Sequence, residues 1–216
     1  MDAPMIDIQA VLFDYGMVLS GPPRLSAWAR MLAVTGLNDA QLHSAYWEHR
    51  HAYDRGTYTG GEYWLAVGNF TGQSFDPAQV AALIAADNDL WTELNPPMVA
   101  WAQQLQSAGI RTGILSNIGD EMASGILRKF PWMSDFHHCT WSHSLKLAKP
   151  ELAIYQHAAA GLETPIQQIL FLDDREENIA AAAQLGMQTL HYTTHADFEQ
   201  EMAARGLQTL LHPAVP

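Results

Sequence analysis

Apolar and polar positions follow two rhythms along this chain, and the change between them marks its organisation. Ala10-Val11-Leu12-Phe13 is a short unbroken apolar run that stops at Asp14, with Gly16 two residues on. A run of that length bounded by a turn signal predicts a buried strand, central and parallel in its sheet. Ser20-Gly21-Pro22-Pro23 then breaks the pattern. From residue 24 to 93 apolar positions recur at helical spacing: Leu25, Trp28, Ala29 and Leu32, then Leu42, Ala45 and Tyr46 behind an Asn38 cap. Gly56 to Gly61 interrupts, Glu62 to Leu65 resumes, and Asp76-Pro77 opens a helix running through Trp91. No strand is evident in this block, which reads as an all-helical insertion.

From Pro96 the rhythm alternates. Helices are expected at 97–107, 119–129, 150–160, 175–185 and 196–205, and strands at 110–115, 138–142, 169–172 and 188–190. Alternation of this kind predicts an α/β fold, a doubly wound parallel sheet with helices on both faces. The expected organisation is a core of 1–20 and 96–216, interrupted by a helical cap of 21–95, with hinges at Ser20–Pro23 and Leu94–Pro97.

Four strand ends carry candidate chemistry, and each also has a plainer explanation. Asp14 sits where open α/β sheets bind their ligands, though an aspartate also starts turns. Ser116-Asn117 could present a hydroxyl and an amide to an anion, or cap the next helix. Lys149-Pro150 places a lysine just before a helix with Pro150 in its first turn, so Lys149 could meet an anion there; Lys146 is a nearby competitor, and most lysines are simply solvated. Asp173-Asp174 ends a strand in adjacent carboxylates, yet Asp174-Arg175-Glu176-Glu177 also has capping-box spacing. Repelling carboxylates are most easily offset by a cation, and together with Asp14 they suit magnesium.

Composition narrows the partners. A hydrophobic fraction of 48% is ample for a core, and 16% charged residues is too few for a disordered chain. A net charge of −12 argues against nucleic acid as partner and requires positive charge to be concentrated locally if the ligand is an anion. The single cysteine, Cys139, excludes an internal disulfide and a Cys-based metal site. Met1 to Ile8 has no basic leader region, and no apolar run approaches the length of a membrane span. A soluble, cytoplasmic protein with no membrane partner is expected; oligomeric state is open.

The four segments, in this order, resemble the haloacid dehalogenase-like (HAD) hydrolase superfamily over nearly the whole chain. The helical insertion between the first and second motifs is similar to that family's C1-type caps. Phe13-Asp14-Tyr15-Gly16, Lys149-Pro150, Arg55-Gly56 and Gly61-Glu62-Tyr63-Trp64 look like the branch of sugar-phosphate phosphatases and epoxide-hydrolase-like phosphatases. The resemblance implies a hydrolase in which Asp14 is the nucleophile and Lys149 orients it and stabilises charge. It implies that Ser116, assisted by the Asn117 amide, binds phosphate, with Asn178 at the same end of the sheet. Asp14, the Gly16 carbonyl, Asp173 and Asp174 would hold Mg2+. Gly16 departs from the family pattern, because most phosphatases there carry a second aspartate as general acid and base. Glu62, Asp54 or a histidine would have to substitute.

The expected function is therefore a magnesium-dependent phosphatase acting on a small phosphorylated metabolite, such as a sugar phosphate, with Gly16 favouring good leaving groups. A catalytically weak protein that binds a phosphorylated ligand or a partner ranks second. A 2-haloacid dehalogenase ranks third, because those enzymes need no metal and generally lack the paired carboxylates of Asp173-Asp174. His43, His49 and His51 lack metal-ligand spacing, and the tryptophans are expected in core and interface, though some of Trp28, Trp47, Trp64 and Trp91 could line the substrate side of the cap, where an aromatic face would suit a sugar.

Overall fold

The computed structural model describes residues 7–214. The leader reading at Met1 to Ile8 therefore falls largely outside the described residues, as do both outer limits of the expected core. The elements run β1 (Ala10–Phe13), α1 (Leu25–Thr35), α2 (Asp39–Asp54), α3 (Gly60–Phe70), α4 (Pro77–Leu90), α5 (Pro96–Ser107), β2 (Arg111–Ser116) and α6 (Asp120–Lys129). They continue with β3 (His138–Trp141), α7 (Ser142–Leu145), α8 (Leu152–Gly161), β4 (Ile169–Asp173), α9 (Glu176–Gln184), β5 (Gln188–His191), α10 (His195–Ala204) and α11 (Gln208–Leu211).

The sheet is wholly parallel, in the order β3-β2-β1-β4-β5. All four residues of β1 are buried because strand side chains alternate between two covered faces. Val11 and Phe13 pack with α5, α6 and α10 through Trp101, Leu105, Ile126 and Phe198, whereas Ala10 and Leu12 pack with α8 and α9 through Tyr155, Ala158 and Ala182. The expected doubly wound fold is present. Its topological switch lies at β1, with β2 on one side and β4 on the other, so the carboxyl ends of these three strands converge on one crevice.

Helices α1 to α4 form a separate apolar cluster around Tyr46, Tyr63, Trp64 and Leu83. Three of them start with reciprocal capping boxes: Asn38 with Gln41, Thr59 with Glu62, and Asp76 with Gln79. The chain enters and leaves this helical insertion through two adjacent segments. Ser20 and Leu94 form an antiparallel bridge, Gly21 N donates to Glu93 O at 2.8 Å, and Asn95 N donates to Leu19 O at 2.9 Å.

Two local expectations are corrected. Pro150 is not in the first turn of α8, which begins at Leu152; the Asn117 side chain holds the Lys149 backbone in a preceding turn. Asp174 is not the cap of α9, since Arg175 occupies that place and makes no side-chain cap bond.

Candidate active site

β1 ends at Asp14, whose N–H donates to Leu172 O at 2.9 Å and whose Oδ1 accepts from Tyr15 N at 2.6 Å. The chain then makes one wide turn over Tyr15–Leu19, closed by Ser20 N donating to Tyr15 O at 2.7 Å. Within it Gly16 is extended (φ −63°, ψ 131°) and Met17 is left-handed (φ 58°).

β2 delivers the buried Ser116. Neither Ser116 nor Asn117 caps α6, whose N-cap is Gly119. The Asn117 side chain instead clamps the residue across the crevice, donating from Nδ2 to Lys149 O (2.9 Å) and accepting Lys149 N at Oδ1 (2.8 Å). That clamp aims Lys149 inward. Its Nζ lies 3.0 Å from Asp14 Oδ1 and donates to Asp173 Oδ2 at 2.6 Å. Lys146, the competitor, is exposed in a left-handed turn.

β4 ends at Asp173, fully buried, whose Oδ1 accepts from Arg175 N and Asn178 Nδ2, both at 2.9 Å. Asn178 therefore positions Asp173 as well as lining the crevice. With Lys149 on Oδ2, Asp173 carries three hydrogen bonds. No other described residue donates to the neighbouring Asp174 carboxylate, which is half-buried and faces the cavity. Asp14, Asp173 and Asp174 each offer an oxygen within 4.8 Å of the others.

Burial pushes the Asp14 carboxyl up to about 7; Lys149 opposes that shift and Asp173 adds to it. Asp174 is raised by burial and then by Asp173. Burial disfavours the Lys149 ammonium, yet Asp14 and Asp173 together hold it above its ordinary value. Three carboxylates facing one lysine leave excess buried negative charge, and hard carboxylate oxygens are what Mg2+ takes alongside water and phosphate. The donor set thus fits magnesium, with Asp14 and Asp174 as ligands and the Gly16 backbone beside them.

These groups floor a cavity of about 330 Å³ whose walls include Tyr15, Met17, Trp47, Arg50, Trp91, Ile118 and Met122. All eight residues named from the sequence converge on this crevice, with Asp173 alone set behind its surface. None of the substitutes for a general acid does. Glu62 is fully exposed and committed to its capping box with Thr59, and Asp54 is buried against Arg50. Among the described residues, no histidine lines the cavity. The sequence reading left open which tryptophans face the substrate side: Trp47, 48% exposed, and Trp91 line the cavity. Trp47 and Arg50 lie one helical turn apart on α2, so they share a face, but nothing in the spacing says that this face looks down on β1.

A family model described as haloacid dehalogenase-like hydrolase matches residues 25–186. The chain is a haloacid dehalogenase-like hydrolase. Among curated relatives, the hydrolase is 24% identical over 216 residues to the drimenol cyclase drtB of Aspergillus calidoustus, covering 96% of this chain and 38% of that protein. It is 30% identical over 104 residues to (S)-2-haloacid dehalogenase 1 of Pseudomonas sp. (47% of this chain, 46% of that one). It is 28% identical over 97 residues to the sesquiterpene phosphatase astK of Aspergillus oryzae (44% and 49%). The hydrolase thus spans less than half the length of these relatives. A HAD family enzyme from Bacteroides thetaiotaomicron shares its fold at a TM-score of 0.75 and 20% identity, over 90% of this chain and 98% of that one. That enzyme has also been crystallised with magnesium and inorganic phosphate.

Proposed function

We propose that this hydrolase is a magnesium-dependent phosphatase that cleaves a small organic phosphate monoester through an aspartyl-phosphate on Asp14. The observation that carries this reading is Lys149 bridging Asp14 and Asp173 beside an open Asp174, at the floor of a cavity that also presents Ser116. The free Asp14 oxygen attacks phosphorus, the ester P–O bond breaks, and the leaving oxygen departs with its electron pair. Water then attacks the phosphoaspartate phosphorus, the aspartyl O–P bond breaks, and inorganic phosphate leaves with Asp14 regenerated; with Gly16 in place of an acid, the proton lost by water and the one gained by the leaving oxygen are exchanged with solvent. Ser116 and the Asn117 amide bind phosphate oxygens, while Lys149 holds Asp14 in line and stabilises charge on the transferring group. A magnesium ion held by Asp14, Asp174 and the Gly16 carbonyl would supply positive charge against the same phosphate. Residues 21–95 act as the cap over a core of 1–20 and 96–216.

The phosphatase relative and the fold neighbour crystallised with magnesium and phosphate support this reading. The dehalogenase relative and the absence of a carboxylate at Gly16 favour the rival, in which Asp14 attacks carbon. The Asp173-Asp174 pair weighs against it, because attack on carbon needs no cation. The two are separated by measuring phosphate and halide release with magnesium and with chelator, in wild type and Asp14→Asn. Magnesium-dependent phosphate release lost in Asp14→Asn supports the phosphatase. Metal-independent halide release establishes the dehalogenase, and neither product points to a binding protein.

A further inference from the structure

The walls above the catalytic floor have a chemistry of their own. Tyr15, Met17, Trp47, Trp91, Ile118 and Met122 present rings, thioethers and alkyl groups to the cavity. Of the polar wall side chains, Arg50 and Tyr15 are already engaged, and the exposed Arg175 pairs with Glu177. Arg50 is bound to Asp54, Asp87 and Tyr46, with Nη2 2.9 Å from the Met122 sulfur, and the Tyr15 hydroxyl donates to Trp91 O at 2.8 Å. Apart from Arg175, the wall above the floor offers a sugar few free partners for its hydroxyls.

Trp47 and Trp91 also line a second cavity of about 270 Å³, whose other walls are Pro23, Leu25, Trp28, Tyr46 and Leu90 with Asp39 and His43. The two cavities share these two indoles, so a mainly apolar surface extends from the floor past them to the outside of the helical insertion. Three large hydrophobic side chains lie exposed along it: Met17 (38%), Trp47 (48%) and Leu25 (83%). Met17 has a left-handed backbone, which disfavours a residue with a Cβ, and its apolar side chain stands at the cavity wall.

Resting on the phosphatase reading, we propose that the substrate is a phosphate monoester whose organic part is an extended apolar group, lying along Met17, Trp47 and Trp91 and reaching the Leu25–Trp28 cavity. Such a group fills both cavities and removes exposed apolar surface from water.

The test is a series of 4-alkylphenyl phosphates from methyl to octyl, which lengthens the apolar part while the phenolate leaving group stays constant. Alkylphosphonates of matching length, which cannot be hydrolysed, are titrated in parallel by indole fluorescence. KM and phosphonate Kd should fall about two- to fourfold per added methylene until the track is full. Trp47→Ala and Leu25→Ser should flatten that dependence, and glucose 6-phosphate should be a poor substrate. Turnover without chain-length dependence, or a preference for sugar phosphates, overturns the proposal. Chain-length-dependent phosphonate binding without turnover would support the apolar track while sinking the phosphatase reading. Flat chain-length dependence, with Leu25→Ser changing the oligomeric mass, would mean that the outer cavity is a contact between copies and would overturn the proposal too.

Discussion

At Gly16 the chain gives up a side chain where the fold has room for one. A Cβ built there meets nothing within 4 Å, and the backbone, at φ −63° and ψ 131°, suits any residue. Gly16→Asp should therefore fold normally and place a carboxyl two residues from Asp14, beside the cavity. General acid–base help is worth roughly 10²–10⁴-fold, and it matters most when the leaving oxygen is basic. We expect kcat on an alkyl phosphate to rise by about 10²-fold or more and kcat on 4-nitrophenyl phosphate to change little. Equal gains on both substrates would mean that the introduced carboxyl acts on binding rather than proton transfer. Met17 should behave in the opposite sense. Met17→Gly relieves the left-handed strain and loses little burial, because Met17 is partly exposed; part of the gain is offset by the greater freedom of glycine in the unfolded chain. A stability increase of about 0.5–1 kcal/mol in urea unfolding, with KM on apolar phosphates raised, is the expected result. A loss of stability would show that the side chain packs more firmly than its exposure implies.

Between elements, the helical insertion rests on the core through glycine. Gly56, at φ 79°, brings its backbone against the His143 carbonyl, and Gly119, the N-cap of α6, lies flat under the Tyr53 ring. Arg55 pairs with Glu151, Ser142 Oγ donates to Asp54 O at 2.5 Å, and Gly60 N donates to Asp120 Oδ1 at 3.0 Å across the same seam. A Cβ at Gly119 would collide with Tyr53, itself stacked on Tyr63 at 4.7 Å, so the ring cannot give way cheaply. Gly119→Ala should cost about 1–3 kcal/mol in thermal or urea unfolding and lower activity by shifting the cavity wall; a neutral result would mean that the seam is loose. The seam also marks the limit of what the sequence tells. The parallel sheet, the insertion and the converging strand ends are legible because each depends on local runs: Ala10–Phe13, Ile169–Asp173, and the capping boxes at Asn38, Thr59 and Asp76. Arg55-Gly56 stands out only as a resemblance; its role as a contact between distant segments has no local signature. The same holds for Trp47, whose helical spacing with Arg50 fits a core face equally well. Pro150 misleads because proline before a helix has two common places, and the Asn117 clamp that decides between them comes from 32 residues away.

For the molecule as a whole, the carboxylates at the cavity floor should couple stability to pH and, if the proposed site binds it, to magnesium. Asp14 is raised from 3.8 in the ordinary carboxyl to about 7 in the fold, chiefly by burial, so between those values the native state binds more protons than the unfolded chain. The sign follows directly: without metal, this carboxyl's contribution to stability falls as pH rises from about 4 to about 7, and the cost is complete above that. Asp54, raised to about 6 mainly by burial, adds in the same direction. A cation at Asp14 and Asp174 must displace the proton and then offsets the repulsion. Magnesium should therefore raise Tm more at about pH 8 than at about pH 5.5, and its apparent affinity should strengthen with pH until Asp14 is ionised. Asp14→Asn separates this from the Asp54 background. It should be more stable than wild type at about pH 8 in chelator, because a buried charge is removed, and should show a much smaller magnesium shift at either pH. Calorimetry of both proteins at the two pH values, with magnesium and with chelator, makes the comparison. Equal magnesium shifts at both pH values in wild type would mean that the ion binds away from Asp14, and the metal site proposed here would fall with that result.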